Sequence, residues 1–503
     1  MEKSGKINPS ISKYFIYLFL ILTGVASFIY LDYRNISVPY DDAYSVFMVK
    51  LSYGEIIKVT AQDVHPPLYY LGLKAFSSVF GDSLFTLRLF SLSGVFATLL
   101  LGATSIRRMF GDGVAISFTL LMVLFPVTQY LVTDIRMYSW VMFFVLVTAL
   151  YAYKVFMYGK LSNWLVFFVA GLVAGYTHNY GLLSILGIYI ILFLFLYKDG
   201  KNWKGLFIVG GLFALAYLPW LFQLVDQIGM VSDDYWIKPL TLNDIFLHIY
   251  YFYSPKEVWL PFTYFSRAQM MVALIILMSV QLIITIVAWR IGGRIFRLAV
   301  LSFIAFLFPV VLGGIISVVW LPILVTRYMT CSFGLFVLSL SFVLAIVWEN
   351  VKYRKLAYLF LLLLLIDAGV RYYSGLSYYK ETEESYNKLR TFAKSDSFYA
   401  NDFSYYMIPR LQLILPENKY SVLVSEKSKN NYLPFSIEEV RVNEKLGKEF
   451  ILVHHMREAI EQDFHDYKMR IEDDYQVMDS LQVSDILLYK MEAKQDGTTN
   501  IKE

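Results

Sequence analysis

Acidic, basic and imidazole side chains stand beside long apolar stretches at several points of the sequence. Asp41 and Asp42 follow the first apolar stretch directly, and His65 precedes the second one. A carboxylate beside apolar surface has its charged form disfavoured, so its pKa rises towards neutrality. Such a group suits general-base catalysis near neutral pH. The segment 38–71 is therefore predicted to be a loop at a membrane surface that carries a catalytic carboxylate.

The same residues also have a purely structural interpretation. Aspartate is favoured at the start of a helix, so either carboxylate could serve as a cap alone. Adjacent side chains point in different directions, so one could cap while the other faces a cleft. Proline at the first helical position costs no hydrogen bond, so Pro66 and Pro67 favour a rigid helix start whatever His65 does. His65 is then a candidate phosphate partner or an idle surface imidazole.

Further ionisable residues stand where a membrane makes charge expensive. Arg136 follows Asp134 by two residues at a predicted helix end, and Arg327 precedes a late apolar stretch. Arginine presents a planar fork suited to phosphate oxygens, although Arg327 could also snorkel to the interface. Charges that topology leaves unexplained are functional candidates. On the predicted outer side these are Asp41, Asp42, His65, Arg88, Asp134, Arg136, His178 and Arg327.

The composition is that of a membrane protein. Of the 503 residues, 57% are hydrophobic and only 17% are charged, whereas roughly a quarter of the residues in soluble domains are charged. The mean hydropathy is +0.53. Because 44 basic and 40 acidic residues nearly cancel, the charge balance gives no reason to expect a nucleic-acid partner. The single cysteine, Cys331, excludes an intrachain disulfide and a cysteine-ligated zinc site.

Apolar stretches long enough to cross the hydrocarbon core recur along the chain and predict about eleven spans. Their limits are 14–31, 84–106, 113–131, 139–157, 163–179, 181–197, 205–224, 268–289, 298–319, 328–348 and 356–374. The first stretch follows three lysines without a small-residue cleavage site, which favours a retained signal anchor. The chain is therefore predicted to be an all-α, multi-pass protein of the inner (plasma) membrane, in contact with membrane lipids.

Lysine and arginine residues predict the orientation of the spans. With the N-terminus in the cytoplasm, every inside connection is basic, as the positive-inside rule requires. These connections contain Arg107, Arg108, Lys154, Lys160, Lys198, Lys201, Lys204, Arg290, Arg294, Arg297, Lys352, Arg354 and Lys355. The opposite connections are sparsely basic, and two of them are large, at 32–83 and 225–267. An odd number of spans then places the C-terminus outside.

The composition changes near Gly375, where apolar stretches give way to a charged segment long enough for a small domain. The membrane domain is therefore predicted to cover residues 1–375. Short β-rich runs alternate with helical patterns over 376–494, which predicts a small outer α/β domain. The β-rich runs are Ser397–Ala400, Lys419–Val424, Glu449–Val453 and Ile486–Met491, and the helical patterns are Tyr405–Leu415 and Met456–Met469. Residues 495–503 are predicted to be a disordered tail.

Taken together, these motifs resemble the membrane glycosyltransferases of the GT-C fold. The nearest branch is protein O-mannosyltransferase-like and includes bacterial lipid A aminoarabinose transferases. Its first outer loop typically begins Asp-Glu-Ala and reaches His-Pro-Pro-Leu or Lys-Pro-Pro-Leu, which residues 41–43 and 65–68 resemble. The resemblance covers about residues 14–350. Its other motifs match Gly81, Arg88-Leu89, Asp134-x-Arg136-x-Tyr138, the stretch from Thr177 to Leu182, and Arg327-Tyr328.

The sequence departs from this family pattern at three positions. Asp42 and Asp134 stand where glutamate is usual, and Val64 stands where some members place an acidic metal ligand. The resemblance therefore implies no definite cofactor and leaves a divalent metal as an open alternative. The C-terminal domain is similar only in being an outer soluble appendage.

The resemblance implies sugar transfer on the outer face of the membrane. The donor would be a sugar on a polyprenyl phosphate, and the acceptor hydroxyl would belong to a glycan, a lipid or a protein. Asp41 would take the acceptor proton during inversion at the anomeric carbon, with Asp134 as a second catalytic residue. Arg136, Arg327 and His65 would stabilise charge on the leaving phosphate. The remaining substrate-binding residues would be Asp42, Arg88, Tyr138 and His178.

Other functions remain as alternatives. A polytopic ligase or polymerase that moves lipid-linked glycans also needs outer arginines, but usually has one very large outer loop late in the chain. A transporter or flippase would place charges near the bilayer midplane and show two symmetric halves with broken helices. In this chain the charges lie at span ends and the early loop carries the reactive residues. A receptor with an outer domain would need only one or two spans.

Overall fold

The computed structural model divides the chain into two compact units. The first unit comprises residues 1–35 and 52–376, and the second unit comprises residues 36–51 and 377–503. An early segment of the chain thus belongs with its C-terminal part. The structure describes residues 9–231, 237–255, 267–393, 397–401, 404–424, 434–435, 437–441, 444, 446–456, 468, 471–483 and 485–494.

Helices dominate the first unit because an apolar segment in a membrane must satisfy its own backbone hydrogen bonds. In chain order, the helices up to residue 392 are α1 (Pro9–Arg34), α2 (Tyr40–Met48), α3 (Tyr53–Ala61), α4 (Leu68–Phe80), α5 (Leu84–Leu101), α6 (Arg107–Phe110), α7 (Asp112–Leu124), α8 (Pro126–Thr133), α9 (Tyr138–Tyr158), α10 (Leu161–Thr177), α11 (Asn179–Lys198), α12 (Trp203–Val231), α13 (Leu242–Tyr250), α14 (Arg267–Ile291), α15 (Gly293–Val319), α16 (Phe333–Glu349) and α17 (Arg354–Phe392). A π-helical turn, Gly102–Ile106, joins α5 to α6, and a 3₁₀ turn, Thr326–Ser332, precedes α16. Of these helices, α2 and the part of α17 from residue 377 belong to the second unit.

Nine helices in the described part of the chain are long and apolar enough to cross a membrane. Helices α7 and α8 form a tenth span if the pair, which is bent by 64°, is counted as one. The bend follows from Pro126, which lacks a backbone N–H and therefore ends α7. The shorter apolar helix α10 corresponds to the remaining predicted span. All eleven predicted stretches are helical, which confirms the polytopic all-α prediction.

The break between α10 and α11 falls at His178, whose backbone is extended (φ −159°, ψ 142°). The ring Nδ1 of His178 accepts a hydrogen bond from the Tyr180 N–H at 2.9 Å and caps α11. At Gly181 a Cβ would collide with the Ala174 carbonyl oxygen and lie 2.7 Å from Cγ2 of Val141. Glycine therefore permits the close crossing of α9, α10 and α11.

The second unit contains a six-stranded mixed sheet in the order β3-β2-β1-β4-β6-β5. Strand β1 pairs in parallel with β2 and β4, β2 in parallel with β3, and β6 antiparallel with β4 and β5. The strands are β1 (Ser397–Asn401), β2 (Lys419–Val424), β3 (Glu438–Arg441), β4 (Glu449–His455), β5 (Tyr475–Val483) and β6 (Ile486–Ala493). The sheet confirms the predicted α/β class and the four predicted β-rich runs.

The sequence does not predict the two edge strands of this sheet. Strand β3 is short and mostly exposed, and β5 has a run of five exposed residues. Neither strand shows the regular alternation on which strand prediction depends. The predicted helix at 405–415 is confirmed as a 3₁₀ turn, Tyr405–Met407, followed by α18 (Ile408–Ile414). The predicted helix at 456–469 lies outside the described residues except for Met456 and Lys468, and so does the predicted tail.

Helix α2 packs through aromatic side chains within the second unit. The ring of Phe435 lies 5.8 Å from that of Tyr40, 6.0 Å from that of Tyr44 and 5.4 Å from that of Phe47, measured between centroids. These three residues share one helical face, because residues three and four apart are neighbours. The first turn of α2 carries Asp41 and Asp42. Their negative charges interact favourably with the positive end of the helix dipole.

Candidate functional site

Two histidines from separate connections lie side by side in the first unit. His65 precedes α4 and His178 joins α10 to α11, and their ring centroids are 5.2 Å apart. Their side chains are buried, with exposed fractions of 5% and 1%. Both line a cavity of about 210 Å³, called here the histidine cavity. Its other polar lining residues are Asn179, Tyr180, Gln227 and Tyr328, and most of the rest are aliphatic.

Two arginines supply positive charge to the histidines. Arg136 is buried and donates through NH1 to the Tyr70 hydroxyl at 3.0 Å. The pKa of His65 lies well below its ordinary value because the ring is buried, and the charges of Arg136, His178 and Arg327 lower it further. The imidazole of His65 is therefore neutral at neutral pH and offers a hydrogen bond without a charge. The guanidinium groups carry the positive charge of this histidine–arginine cluster (His65, Arg136, His178 and Arg327).

Three tyrosine rings surround His178. Ring centroids of Tyr328, Tyr138 and Tyr180 lie 4.9, 5.6 and 6.1 Å from that of His178. The Tyr180 hydroxyl donates to the Ile323 carbonyl at 3.0 Å, which ties α11 to the segment before the 3₁₀ turn. The motifs that contain His178 and Tyr328 therefore meet in space, although they are far apart in the sequence.

The hydrogen bonds of His178 define its protonation. Since Nδ1 accepts from the Tyr180 N–H, a neutral ring carries its proton on Nε2. Within the described part of the chain, the buried Nε2 of His178 has no hydrogen-bond partner, and the same holds for Nδ1 of His65. A buried donor without a partner costs about 1–3 kcal/mol. An acceptor atom of a ligand in the histidine cavity would remove this penalty.

The connection before His65 is fixed by two amide side chains. Asn179 donates to the Val64 carbonyl at 3.0 Å, and Gln227 donates to the Thr60 carbonyl at 2.9 Å. These bonds hold the backbone of the early connection against α11 and α12. Sequence analysis did not identify either amide. Neither stands out in the sequence, because Asn179 lies at the end of a predicted span and Gln227 lies in the predicted loop 225–267, where polar residues are ordinary.

Arg88 and Asp134 are also buried in the first unit. The Arg88 side chain is fully buried and donates to the Asn35 carbonyl, so it holds the chain that leaves α1. Asp134 and Arg136 both act on the pKa of Tyr69, which burial raises well above its ordinary value. Neither Arg88 nor Asp134 lines the histidine cavity.

Asp41 and Asp42 lie in the second unit. Asp42 is 1% exposed whereas Asp41 is half-buried, so these adjacent carboxylates have different surroundings. The other seven predicted site residues belong to the first unit. Five of them form one cluster, namely His65, Arg136, Tyr138, His178 and Arg327, and of these His65 and His178 line the histidine cavity.

No metal is assigned to the histidine cavity. Among the residues that the structure describes, no group of three or more His, Cys, Asp or Glu side chains is placed to hold a metal ion. His65 and His178 supply two nitrogen ligands, and the neighbouring Val64 is apolar. Zinc sites in proteins use three or four protein ligands.

No protein-family model and no curated protein matches this chain. Solved structures do match. The chain is similar to the crystal structure of ArnT from Cupriavidus metallidurans bound to undecaprenyl phosphate, with a TM-score of 0.58, 12% identity, and coverage of 94% of this chain and 97% of that one. The apo structure of the same ArnT gives a TM-score of 0.58 and 12% identity over 96% and 98%.

The chain therefore has the GT-C fold. ArnT, a lipid A aminoarabinose transferase of that fold, is a solved protein with a similar architecture. The structural likeness also reaches beyond residues 14–350, because it covers nearly the whole chain. The C-terminal domain thus has a counterpart in ArnT. At 12% identity the likeness establishes the fold.

Proposed function

We propose that this chain is a membrane glycosyltransferase that transfers a sugar from a polyprenyl-phosphate donor to an acceptor hydroxyl on the extracytoplasmic face. The histidine–arginine cluster beside the histidine cavity carries this proposal. Guanidinium groups and an imidazole N–H form charge-assisted hydrogen bonds with phosphate oxygens. The ArnT structure with the same fold is bound to undecaprenyl phosphate.

Arg136 and Arg327 would bind the donor phosphate and stabilise it as it leaves. Negative charge grows on the phosphate oxygen while the bond to the sugar breaks. Hydrogen-bond donors of the protein that are fixed around this oxygen therefore stabilise the transition state more than the ground state. Loss of one such hydrogen-bond donor typically lowers the rate by roughly 10²–10³-fold. His178 would add a hydrogen bond through Nε2, and Tyr138 would pack against that ring. Exclusion of water from the buried cluster would limit hydrolysis of the donor.

Asp41 would be the general base. The acceptor oxygen attacks the anomeric carbon while Asp41 takes its proton, and the carbon–oxygen bond to phosphate breaks. The polyprenyl phosphate leaves with the electron pair, and the anomeric configuration inverts. General-base assistance contributes roughly 10²–10⁴-fold. Support comes from the match of residues 41–43 to the family motif and from the half-buried position of Asp41 in the first turn of α2.

The orientation and the partners follow from the sequence. We propose that the N-terminus is cytoplasmic and that the C-terminal domain lies outside, because the connections on the N-terminal side are basic. We propose the inner membrane as the location and a glycan, lipid or protein of the cell envelope as the acceptor. A transporter is less consistent with the structure, because His65, Arg136 and His178 lie between helices and Arg327 lies in the first turn of its span, away from the middle. No observation favours a glycan ligase or polymerase.

Replacing Asp41 with asparagine should abolish sugar transfer without loss of expression, because an amide cannot accept the proton. The measurement is mass spectrometry of polyprenyl-phosphate sugars in a deletion strain that carries each variant. The deletion strain and the Asp41→Asn strain should accumulate the same lipid-linked sugar, and the wild-type gene should clear it. Asp82→Asn alters an exposed carboxylate between α4 and α5 and should behave as wild type.

The two results that contradict the proposal are distinct. Clearance of the lipid by Asp41→Asn would remove Asp41 from the role of base. Absence of any lipid-linked sugar that accumulates on deletion would contradict a polyprenyl-phosphate donor altogether.

A further inference from the structure

Side chains of the C-terminal domain hold the backbone just before α2. The Val38 N–H donates to the Tyr386 hydroxyl at 3.2 Å, and the Val38 carbonyl accepts from Nε of Arg410 at 3.0 Å. Val38 is 2% exposed, so protein atoms must satisfy both of its backbone groups. Pro39 follows with its φ fixed by the ring, and α2 starts at the next residue. The position of Val38 therefore determines where the first turn of α2 begins.

Arg410 is itself held by a network of polar side chains. Its NH1 lies 2.9 and 3.0 Å from the two carboxylate oxygens of Asp485. His455 approaches Asp485 through Nε2 at 3.3 Å, and the Tyr406 hydroxyl lies 2.5 Å from Nδ1 of His455. Burial raises the pKa of Asp485, but His455 and Arg410 together hold it below the ordinary value. The guanidinium group cannot leave Val38 without disturbing this partly buried ion pair.

This network lies where α/β sheets often bind ligands. His455 ends β4, and Tyr406 and α18 follow β1, so the network stands at the carboxyl ends of two adjacent parallel strands. With the order β3-β2-β1-β4, strands are added first on one side of β1 and then on the other, so a topological switch point lies between the parallel strands β1 and β4, which is the usual ligand position in such folds. The ring of Tyr40 lies 6.3 Å from that of Tyr406. An early segment of the same chain thus contacts this position.

Aromatic contacts also hold α2 in place. Phe435 packs along the face of α2 that carries Tyr40, Tyr44 and Phe47. Asp41 is rotated about 100° from Tyr40 around the helix axis, since an α-helix has 3.6 residues per turn. One face of α2 is therefore packed, and Asp41 lies off that face in a half-buried position.

We propose that the C-terminal domain positions the proposed base, and that Arg410 is its main positioning residue. The domain fixes the start of α2 through Val38 and thereby the direction of the Asp41 carboxylate. This inference rests on the proposed function, because it takes Asp41 as the base. It gives the C-terminal domain a role in the transfer step, separate from binding of the lipid donor.

Arg410→Lys tests the proposal, because lysine keeps the charge opposite Asp485 but lacks the Nε–H that bonds Val38. The turnover number, kcat, should fall about 10-fold to 100-fold, as expected when a reacting group is misplaced by about 1 Å. The KM for the lipid donor should stay within twofold, since the cluster that binds phosphate belongs to the first unit. The donor in this assay is the lipid-linked sugar that accumulates in the deletion strain.

Two further variants make the test independent of a general loss of folding. Tyr386→Phe removes the other bond to Val38 and leaves Asp485 intact, so it should lower kcat in the same direction by a smaller factor. Arg441→Lys, on the exposed strand β3, should leave kcat and KM unchanged. Hydrogen exchange should show reduced protection of α2 in Arg410→Lys, with β1 and β4 protected as in wild type.

The outcomes separate this inference from the proposed function. If Asp41→Asn is inactive while both Arg410→Lys and Tyr386→Phe retain full kcat, positioning by the domain is wrong and the base assignment stands. A rise in the KM for the lipid donor without a fall in kcat would equally overturn positioning by the domain. If Asp41→Asn is active, the proposed function itself fails.

Discussion

The two ring nitrogens of His178 have different hydrogen-bonding roles. Nδ1 accepts the Tyr180 N–H and so shapes the turn between α10 and α11, whereas Nε2 carries the proton that a phosphate oxygen could accept. A single residue therefore links the geometry of a helix break to the proposed phosphate site. The motif Thr-His-x-Tyr predicts that His178 matters, and the structure supplies a physical reason for each atom.

His178→Asn should separate these two roles. The asparagine oxygen can replace Nδ1 as the acceptor for Tyr180, but no donor remains in place of Nε2. Folding should be retained, and affinity for undecaprenyl phosphate should fall about tenfold or more, because hydrogen bonds to charged groups contribute about 1.5–3 kcal/mol. Native mass spectrometry of the purified protein measures this affinity.

His178→Gln is the matched control, since its amide can replace Nε2 but not Nδ1. It should retain more affinity than His178→Asn and have the lower melting temperature of the two. Wild-type affinity in His178→Asn would exclude Nε2 from phosphate binding.

The sequence identifies the ionisable members of the candidate site but not the amides. His65, Arg136 and Arg327 stand out because an ionisable side chain near a membrane requires an explanation. Asn179 and Gln227 do not stand out, because each bonds a backbone carbonyl that lies more than 100 residues away in the sequence. Such partners depend on the packing of the helices, and residue types alone do not reveal them.

Among the elements, the crossing of α9, α10 and α11 depends on Gly181. Gly181→Ala should lower the melting temperature of the purified protein, because a Cβ would collide with the Ala174 carbonyl and Val141. Overpacking of this kind typically costs about 1–3 kcal/mol. Gly211→Ala in α12 is the matched control: a Cβ there meets nothing within 4 Å. That variant should be neutral or slightly stabilising, and equal melting temperatures for the two variants would contradict the close crossing.

Length and apolarity predict the helices of this chain well, because the hydrocarbon core permits little else. The prediction is poorer at Pro126, where the bend falls within the single predicted span 113–131. The break at His178 agrees with the predicted limits 163–179 and 181–197 to within two residues. The sequence does not predict strands β3 and β5, for a different reason. Both lie at sheet edges, where one side faces solvent and the alternation of buried and exposed residues is lost.

At the scale of the whole molecule, the sequence does not reveal that residues 36–51 belong with the C-terminal domain. Their contacts are made by Tyr40, Tyr44 and Phe47, which would serve equally well as aromatic residues at a membrane interface. The partners are hundreds of residues away, at Tyr386, Arg410 and Phe435. Only the structure connects the segment that carries Asp41 to the domain whose function the sequence leaves open.

The fold is recognisable from a few short motifs despite 12% identity to ArnT. Membrane spans require apolar side chains but few particular ones, so most positions can vary without changing the architecture. Ionisable residues at the span ends are more restricted, because each needs a partner or a function. This difference explains why motifs in the connections and first turns of the helices, and not the apolar pattern of the spans, predicted the GT-C fold.

Binding of undecaprenyl phosphate to the purified protein in lipid nanodiscs tests the central claim most directly, with the lipid phosphate alone as the probe. Wild-type protein should bind it, and the double variant Arg136→Ala/Arg327→Ala should bind at least about 100-fold more weakly, given two lost charged hydrogen bonds of about 1.5–3 kcal/mol each. The control Arg294→Ala/Arg297→Ala, at the predicted cytoplasmic end, should bind as wild type. Equal binding by both double variants, or no binding by wild type, would contradict a lipid-phosphate site at the histidine–arginine cluster.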